Sequence, residues 1–415
     1  MSQWLSLRRG GRGWAIATVV VALVSCRPAP VEDLGGETVE PIQDEQLVLR
    51  NATLEQADAD GNILWKINSQ LTRYSEDKQV AQLEELTGNL LQDGQVILKV
   101  RAAGGEIRLE EDGEKVFLRG RIEATDPRNE LTLRAQELDW LPREGRVAAR
   151  QQLQASHPQL ELVASEASYQ TREQELEAFG EIVAVAKEQP LEIQSEQLTW
   201  QIAARQLKGD RGIELKRYPE PVTLAAVNAT RRGARLSLNL GAGQTLMLAP
   251  PPLPETATDR VVAEESALNL ETLVVLLKNS VESRSLEPPL QIASDSIVWD
   301  LKQRTVLADQ PVQILHTQDR LAIAANQGFA DLDREIVQLS GGALGRNPSN
   351  RSELSADEII WQIPSRQLEA TGQVIYRQQD PPLHLVGSRA LGNLDQQNIT
   401  ITSSPGQRVV TNIVP

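Results

Sequence analysis

A pattern of apolar and small residues that changes phase at its midpoint recurs about every 31 residues and constrains the fold of this chain. In each copy these residues occupy offsets 0, 2 and 4, and then offsets 7 and 9. Alternation by two is typical of a β-strand, because successive side chains point to opposite faces. The longer step in the middle moves the apolar side chains to the other face, which a bulge or a sharp bend achieves. The clearest copies are Leu131, Leu133, Ala135, Leu138 and Trp140; Leu191, Ile193, Ser195, Leu198 and Trp200; and Leu290, Ile292, Ser294, Ile297 and Trp299.

The recurrence extends over most of the chain. Each period also holds a second apolar run, often with a central glycine, as at residues 118–122, 178–182 and 370–374. Short turn sequences separate the runs, which favours antiparallel hairpins over crossover connections. Bent strands of this kind suit an architecture whose two sheets share strands, so the sequence predicts a long all-β body. Copies of the pattern begin at Trp65, Leu98, Leu131, Leu160, Leu191, Val222, Leu290, Leu321, Ser352 and Leu383.

The recurrence fails once, between Val222 and Leu290. Residues 249–254 of this interval read Ala-Pro-Pro-Pro-Leu-Pro, a run that no central strand tolerates because proline lacks the backbone N–H. We therefore expect a linker or long surface insertion at residues 249–265, between two consecutive modules at residues 46–248 and 266–415. Residues 268–277 fit both a helical and a strand spacing, and periodicity does not decide between them over so short a run.

The first 25 residues have the composition of a signal segment. Three arginines precede an apolar stretch at residues 14–24, which reaches only about half of a ~30 Å hydrocarbon core. The sequence Leu-Val-Ser-Cys at residues 23–26 resembles the bacterial lipoprotein box, in which the cysteine thiol carries a diacylglycerol. The resemblance implies a lipid anchor at Cys26, with an uncleaved N-terminal helix as the alternative. Residues 26–45 then have the character of an extended tether.

Charge and motifs argue against a nucleic-acid partner and against an enzyme. The chain has 57 acidic residues against 42 lysines and arginines, whereas nucleic acid requires clustered cationic surface. The three histidines, His157, His316 and His384, are far apart, and none has another histidine or cysteine at ligand spacing. Phosphate-binding glycine loops and the motifs of serine hydrolases and zinc proteases do not occur in the sequence. We expect neither catalysis nor a cofactor nor a metal site.

Apolar side chains on both sides of each bend need something to cover them. A packed core is one interpretation; the other is a partly open sandwich whose inner faces leave an apolar groove for acyl chains. Aromatic residues make up only 3% of the chain, so bulky side chains that fill such a space are few. The candidate lining residues of the first module are Ile67, Val100, Ile107, Leu133, Leu138, Leu162, Leu191, Ile193 and Leu198.

The beginning of this body resembles the LptC family. Residues 58–61 match its D-x-x-G turn, and Tyr74 follows as the family tyrosine does. Residues 65–69 resemble its W-x-L-x-A strand, with isoleucine at the leucine position and serine at the alanine position. Residues 102–105 resemble the next A-x-x-G landmark, and residues 118–122 resemble an L-x-G-x-V strand. LptC proteins are membrane-anchored periplasmic components of the lipopolysaccharide export bridge.

The resemblance covers residues 46–248, and the later repeats resemble the related LptA-type modules. It implies an elongated, V-shaped antiparallel β-jellyroll whose groove shields the acyl chains of lipid A. It also implies a non-enzymatic protein at the periplasmic face of the inner membrane, which accepts lipopolysaccharide from an ABC transporter and joins an LptA-like bridge protein by edge-to-edge β-strand addition. This chain is longer than is usual in the family, and Cys26 stands in place of a spanning helix. The alternative is a structural or assembly envelope lipoprotein with a filled β-solenoid or β-sandwich core, which the repeat length also allows.

Overall fold

The computed structural model describes most of the chain beyond the tether. The described residues are 47–58, 61–92, 94–110, 113–187, 189–220, 223–224, 257–349, 351–396, 398–403 and 410–412. The predicted signal segment, Cys26, the tether, Val222 and the proline run at residues 249–254 lie outside them.

The described residues form 26 β-strands and one 3-10 helix, Pro142–Glu144, as the all-β prediction requires. Before the interruption the strands are β1 (Val48–Ala57), β2 (Ile63–Tyr74), β3 (Val80–Gln92), β4 (Gln95–Glu110), β5 (Gly113–Asp126), β6 (Leu131–Leu141), β7 (Arg146–Ser156), β8 (Leu160–Gln170), β9 (Glu175–Ala186), β10 (Leu191–Gln201), β11 (Gln206–Gly209) and β12 (Ile213–Arg217). After it they are β13 (Asp259–Ala263), β14 (Glu265–Asn269), β15 (Val274–Ser285), β16 (Leu290–Asp300), β17 (Thr305–Ala308), β18 (Val312–His316), β19 (Leu321–Ala325), β20 (Gln327–Asp331), β21 (Ile336–Asn347), β22 (Ser352–Gln362), β23 (Gln367–Gln379), β24 (Pro382–Asn393), β25 (Asn398–Thr402) and β26 (Val410–Asn412).

The strands pair antiparallel in chain order. Each long strand from β1 to β10 pairs with the next one. Later, some long strands are divided into two short ones: β11 and β12, for example, pair with opposite halves of β10. The sheet continues across the interruption, because β13 pairs with β12 and β14 pairs with β11. Residues 259–263 of the predicted linker thus lie in the sheet, and residues 268–277 are strand and turn; the division into two modules stays a prediction.

The phase change of the sequence pattern is a bend in the middle of each long strand. In β6 the pairing register shifts between Arg134 and Glu137, and the buried side chains change from offsets 0, 2 and 4 to offsets 7 and 9. The strands β10 and β16 show the same order of burial. We call the strand halves in register with residues 131–134 the first layer and those in register with residues 137–141 the second layer. The two layers cover a shared interior.

Backbone in the left-handed region permits the bend. Gly120 and Gly372, two of the central glycines of the second apolar runs, have φ angles of 92° and 97°. Glycine adopts this region without the steric cost that a Cβ atom imposes. In β7 the adjacent residues Gln151 and Gln152 adopt it instead, with φ angles of 62° and 56°. The bend therefore does not depend on glycine, and a search for central glycines misses it in β7.

Candidate functional site: the interior between the layers

Side chains line the interior in rows that run across the strands. From β2 to β10, the first-layer row alternates large branched residues with glycine or alanine on neighbouring strands. Neighbouring strands lie about 4.8 Å apart, so the large side chains recur about every 10 Å with a small residue between them. This alternation makes the inner face regular along the sheet. From β2 to β12 the row consists of Ile67, Gly88, Val100, Ala124, Leu133, Ala155, Leu162, Ala184, Ile193 and Leu215.

The structure brings the nine sequence-predicted lining residues together in this interior. Leu191 lies beside the first-layer row, at the end of β10 that is farthest from the bend. Five residues belong to the first-layer row: Ile67, Val100, Leu133, Leu162 and Ile193. The second layer supplies the remaining three: Ile107, Leu138 and Leu198. All nine are buried, and the most exposed of them, Val100, is 6% exposed. The interior is closed to solvent at these positions, and their contact with lipid stays a prediction.

The second layer carries the large aromatic residues. The sequence pattern predicts that Trp140, Trp200, Trp299 and Trp361 lie on one side of equivalent strands, and strand pairing confirms it. Tyr169 lies in the same row, midway between Trp140 and Trp200. The indole N–H groups of Trp140, Trp200 and Trp361 are buried without a hydrogen-bond partner among the described residues. These side chains therefore present apolar surface together with an unpaired donor.

The strand ends that lie away from the bend meet, one layer against the other, along a line that we call the seam. At the seam, polar side chains of the first layer contact the second layer. Tyr169 Oη donates a hydrogen bond of 2.6 Å to Asp126 Oδ2. Arg128 donates to both carboxylate oxygens of Asp126, at 3.0 and 2.5 Å, and to the backbone oxygen of Thr171 at 2.5 Å. Asp126 is fully buried. Burial and the hydrogen bond to Asp126 raise the pKa of Tyr169, so its hydroxyl remains a donor.

Two histidines occupy equivalent places on the seam. The ring of His157 packs edge-on with Trp200, and that of His316 packs edge-on with Trp361, each at 5.1 Å between ring centroids. Burial lowers the pKa of both histidines, which favours neutral imidazole at neutral pH. Sequence reasoning treated the histidines as scattered. The missed signal is that each one lies at the end of a first-layer strand, His316 as the last residue of β18 and His157 directly after β7, and contacts a tryptophan of the recurring pattern.

A second ion pair closes the seam beside His316. Arg366 Nη2 of the second layer donates a hydrogen bond of 2.6 Å to Asp319 Oδ1 of the first layer. Asp319 Oδ2 also lies 3.0 Å from His316 Nδ1. The seam is thus held by similar polar contacts in the early and the late strands.

The interior is more open near the last strands. A cavity of about 360 Å³ lies between the layers there. Leu354, Leu368 and Ile399 line it and are only partly buried. Polar residues of the layer edges, including Asn347 and Ser352, lie at its border. The last strands therefore leave empty space between the layers, whereas the nine lining residues of the earlier strands are buried.

Neither metal clusters nor spanning helices occur in the described part of the chain. Its His, Cys, Asp and Glu side chains form no group of three or more that is suited to a metal ion. Across the same ranges, no helix has the length and apolar character needed to cross a bilayer.

Comparison with known proteins finds a family model that matches the first part of the chain. The family model described as LptC, lipopolysaccharide-assembly, LptC-related, matches residues 15–181. One similar solved structure is the crystal structure of LptH, the LptA homologous periplasmic component of the conserved lipopolysaccharide transport device from Pseudomonas aeruginosa. It is 16% identical, covers 31% of this chain and 97% of that chain, and gives a TM-score of 0.28. No curated protein sequence matches. Residues 15–181 of this chain are therefore similar to the LptC-related family of lipopolysaccharide-assembly proteins.

Proposed function

We propose that this protein is a non-enzymatic carrier in lipopolysaccharide export, which accepts lipopolysaccharide from an inner-membrane ABC transporter and shields its acyl chains between the two layers. The continuous apolar interior carries the proposal, because its rows run through consecutive strands of a chain whose first part is LptC-related. Burial of acyl methylenes is worth ~0.8 kcal/mol each, so such an interior binds acyl chains without a specific polar site. The work of transport is done by the transporter.

Acyl chains reach the interior where the layers separate. The seam contacts of Asp126 with Tyr169 and of Asp319 with Arg366 hold the layer edges together in the closed state. A lipid-loaded state requires that some of these contacts open, as an equilibrium between two arrangements of one fold. The cavity near Leu354 is the part of the interior that needs the least opening.

The first and last strands suit an edge-to-edge partner. The described contacts of β1 include pairing with β2 along one edge, and those of β25 include pairing with β24. A strand with one unpaired edge is a template for β-strand addition, and addition of an LptA-like bridge protein prolongs the interior beyond this chain.

The membrane anchor is proposed to be a lipid on Cys26, with the protein at the periplasmic side of the inner membrane. We expect mass spectrometry of the mature N-terminus to identify acylated Cys26 and to find residues 1–25 removed. Detection of intact Met1 would contradict the lipid anchor and support the uncleaved helix.

Photocrosslinking in cells tests the carrier function. A photoreactive amino acid at Leu133 or at Leu354 is expected to form adducts with lipopolysaccharide, because both side chains point into the interior. The matched controls are Arg134 and Ser355, whose side chains point to the opposite face of the same strands, and we expect no lipid adduct there.

Absence of adducts at both interior positions, in a folded protein, would leave the second candidate function. That function is a structural envelope lipoprotein with a filled core. The observation in its favour is the closure of the interior at the lining residues, because the most exposed of them, Val100, is only 6% exposed.

A further inference from the structure

A cluster of arginines lies on the outer face of the first layer, near the last strands. Four exposed arginines and His384 line one concave surface, which encloses a volume of about 880 Å³. The arginines are Arg320, Arg346, Arg351 and Arg377. Strand pairing sets their order: Arg346 is opposite Glu353, Glu353 is opposite Arg377, and Arg377 is opposite His384. Arg346 and Arg377 therefore lie on β21 and β23, the two strands that flank β22, whereas Arg320 and Arg351 lie on the turns that precede β19 and β22.

The cluster is cationic in a chain whose net charge is −15. Glu353 is the one carboxylate among the residues that line the concave surface, and it accepts a hydrogen bond of 3.2 Å from Arg346. Among the described residues, Arg320, Arg351 and Arg377 form no ion pair. Like charges on neighbouring strands repel one another, so a bound anion relieves a cost that the free protein bears.

The arginine cluster adjoins the cavity between the layers. Asn347 and Ser352, on either side of the β21–β22 turn, line both the cavity and the concave surface. Apolar side chains such as Leu354 lie on the inner side of this turn, and Arg351 lies on the outer side. One amphiphile can therefore place its chain inside and its headgroup outside across a single turn.

We propose that the arginine cluster binds the phosphate groups of an amphiphile's headgroup while the acyl chains of that molecule occupy the neighbouring cavity. Guanidinium groups present planar pairs of N–H donors that match the oxygens of phosphate. The guanidinium groups of Arg320, Arg351 and Arg377, which pair with no carboxylate within the described ranges, suit a headgroup with more than one phosphate. This inference rests on the proposed carrier function and assigns headgroup recognition to the last strands.

A long linear polyanion is the competing occupant. A second concave surface shares Ala322 and Arg346 with the first and adds Arg260 and Arg284. The shared border with the apolar cavity favours the amphiphile, because a polymer without acyl chains gains nothing from that cavity.

The test compares two lipids and two variants of the full-length chain. Equilibrium binding is measured for lipid A with both phosphates and for lipid A from which the phosphates have been removed. The double substitution Arg351→Gln and Arg377→Gln is expected to weaken binding of the phosphorylated lipid by about tenfold or more, since hydrogen bonds to charged groups are lost. Binding of the dephosphorylated lipid is expected to stay unchanged. The control is Arg334→Gln, an exposed arginine on the turn before β21 and outside the concave surface, which should alter neither affinity.

Three results would overturn the proposal in distinguishable ways. Unchanged affinity of the double variant for phosphorylated lipid, with crosslinking retained at Leu354, contradicts the headgroup site and leaves the carrier function intact. Displacement of bound phosphorylated lipid by dextran sulfate, at an equal concentration of negative charge, assigns the surface to a polymer. Failure of the unsubstituted protein to crosslink lipid at any interior position contradicts the carrier function, and the headgroup site with it.

Discussion

Replacement of Trp200 by alanine is expected to lower the free energy of unfolding by about 3–5 kcal/mol. The side chain of Trp200 is 1% exposed and packs in the row that also holds Tyr169 and Trp140. Its neighbours in the row are fixed by strand pairing on both sides, so they cannot collapse fully into the space that the indole leaves. Equilibrium unfolding in urea, with the unsubstituted protein as the reference, measures the loss.

The control for this substitution is Trp200→Phe. The indole N–H of Trp200 has no hydrogen-bond partner among the described residues, so phenylalanine removes volume but leaves no acceptor unpaired. We expect the phenylalanine variant to lose clearly less stability than the alanine variant. Alanine at Trp140 and Trp361, which occupy the same row, should give losses of similar size. Negligible loss at all three positions would mean that the strand register is wrong.

The position of these tryptophans could be predicted because the sequence pattern repeats with every pair of strands. Offset 9 of the copies that begin at Leu131, Leu191, Leu290 and Ser352 gives Trp140, Trp200, Trp299 and Trp361, and each is buried. A shift of one residue in any strand would turn its whole apolar set to solvent, so the pattern strongly specifies the register. The nine lining residues were identified as interior for the same reason.

The closure of the interior could not be predicted in this way. Periodicity states which face of a strand a side chain occupies, but it does not state how far apart two layers lie. The contacts that join the layers, such as Asp126 with Tyr169, connect residues more than a full period apart and carry no local signal. The bend at Gln151 and Gln152 was missed for a related reason, because packing on both sides imposes a backbone conformation that their own preferences do not favour.

At the seam, substitution of Arg128 by alanine is expected to cost about 3 kcal/mol of stability or more. Asp126 is fully buried and accepts two side-chain hydrogen bonds from Arg128, so removal of the guanidinium leaves a buried carboxylate without its counter-charge. The Arg128 side chain is itself 25% exposed, and water that replaces it keeps the expected loss at the lower end of the range for buried pairs. Equilibrium unfolding at neutral pH measures this loss.

Two further variants separate the charge effect from a general loss of packing. Arg134→Ala removes an exposed arginine that pairs with Glu123 at 3.0 Å, and such surface pairs contribute about 0–1 kcal/mol. Adding Asp126→Asn to the Arg128 variant should recover part of the stability, because the unpaired charge is then gone. A loss at Arg128 no larger than that at Arg134 would show that this seam contact does not hold the layers together.

The Arg128 variant also connects stability with the route of lipid entry. If the seam opens during loading, loss of the Arg128 contacts to Asp126 and Thr171 should favour the open arrangement. We expect faster amide hydrogen exchange in β6 and β8 and faster lipid crosslinking at Leu133 in this variant than in the unsubstituted protein. The Trp200→Ala variant, which destabilises the second layer without removing a polar contact of Asp126, is the comparison for a merely less stable fold. Equal crosslinking rates in the Arg128 variant and the unsubstituted protein would mean that lipid enters through the ends of the interior and not through this part of the seam.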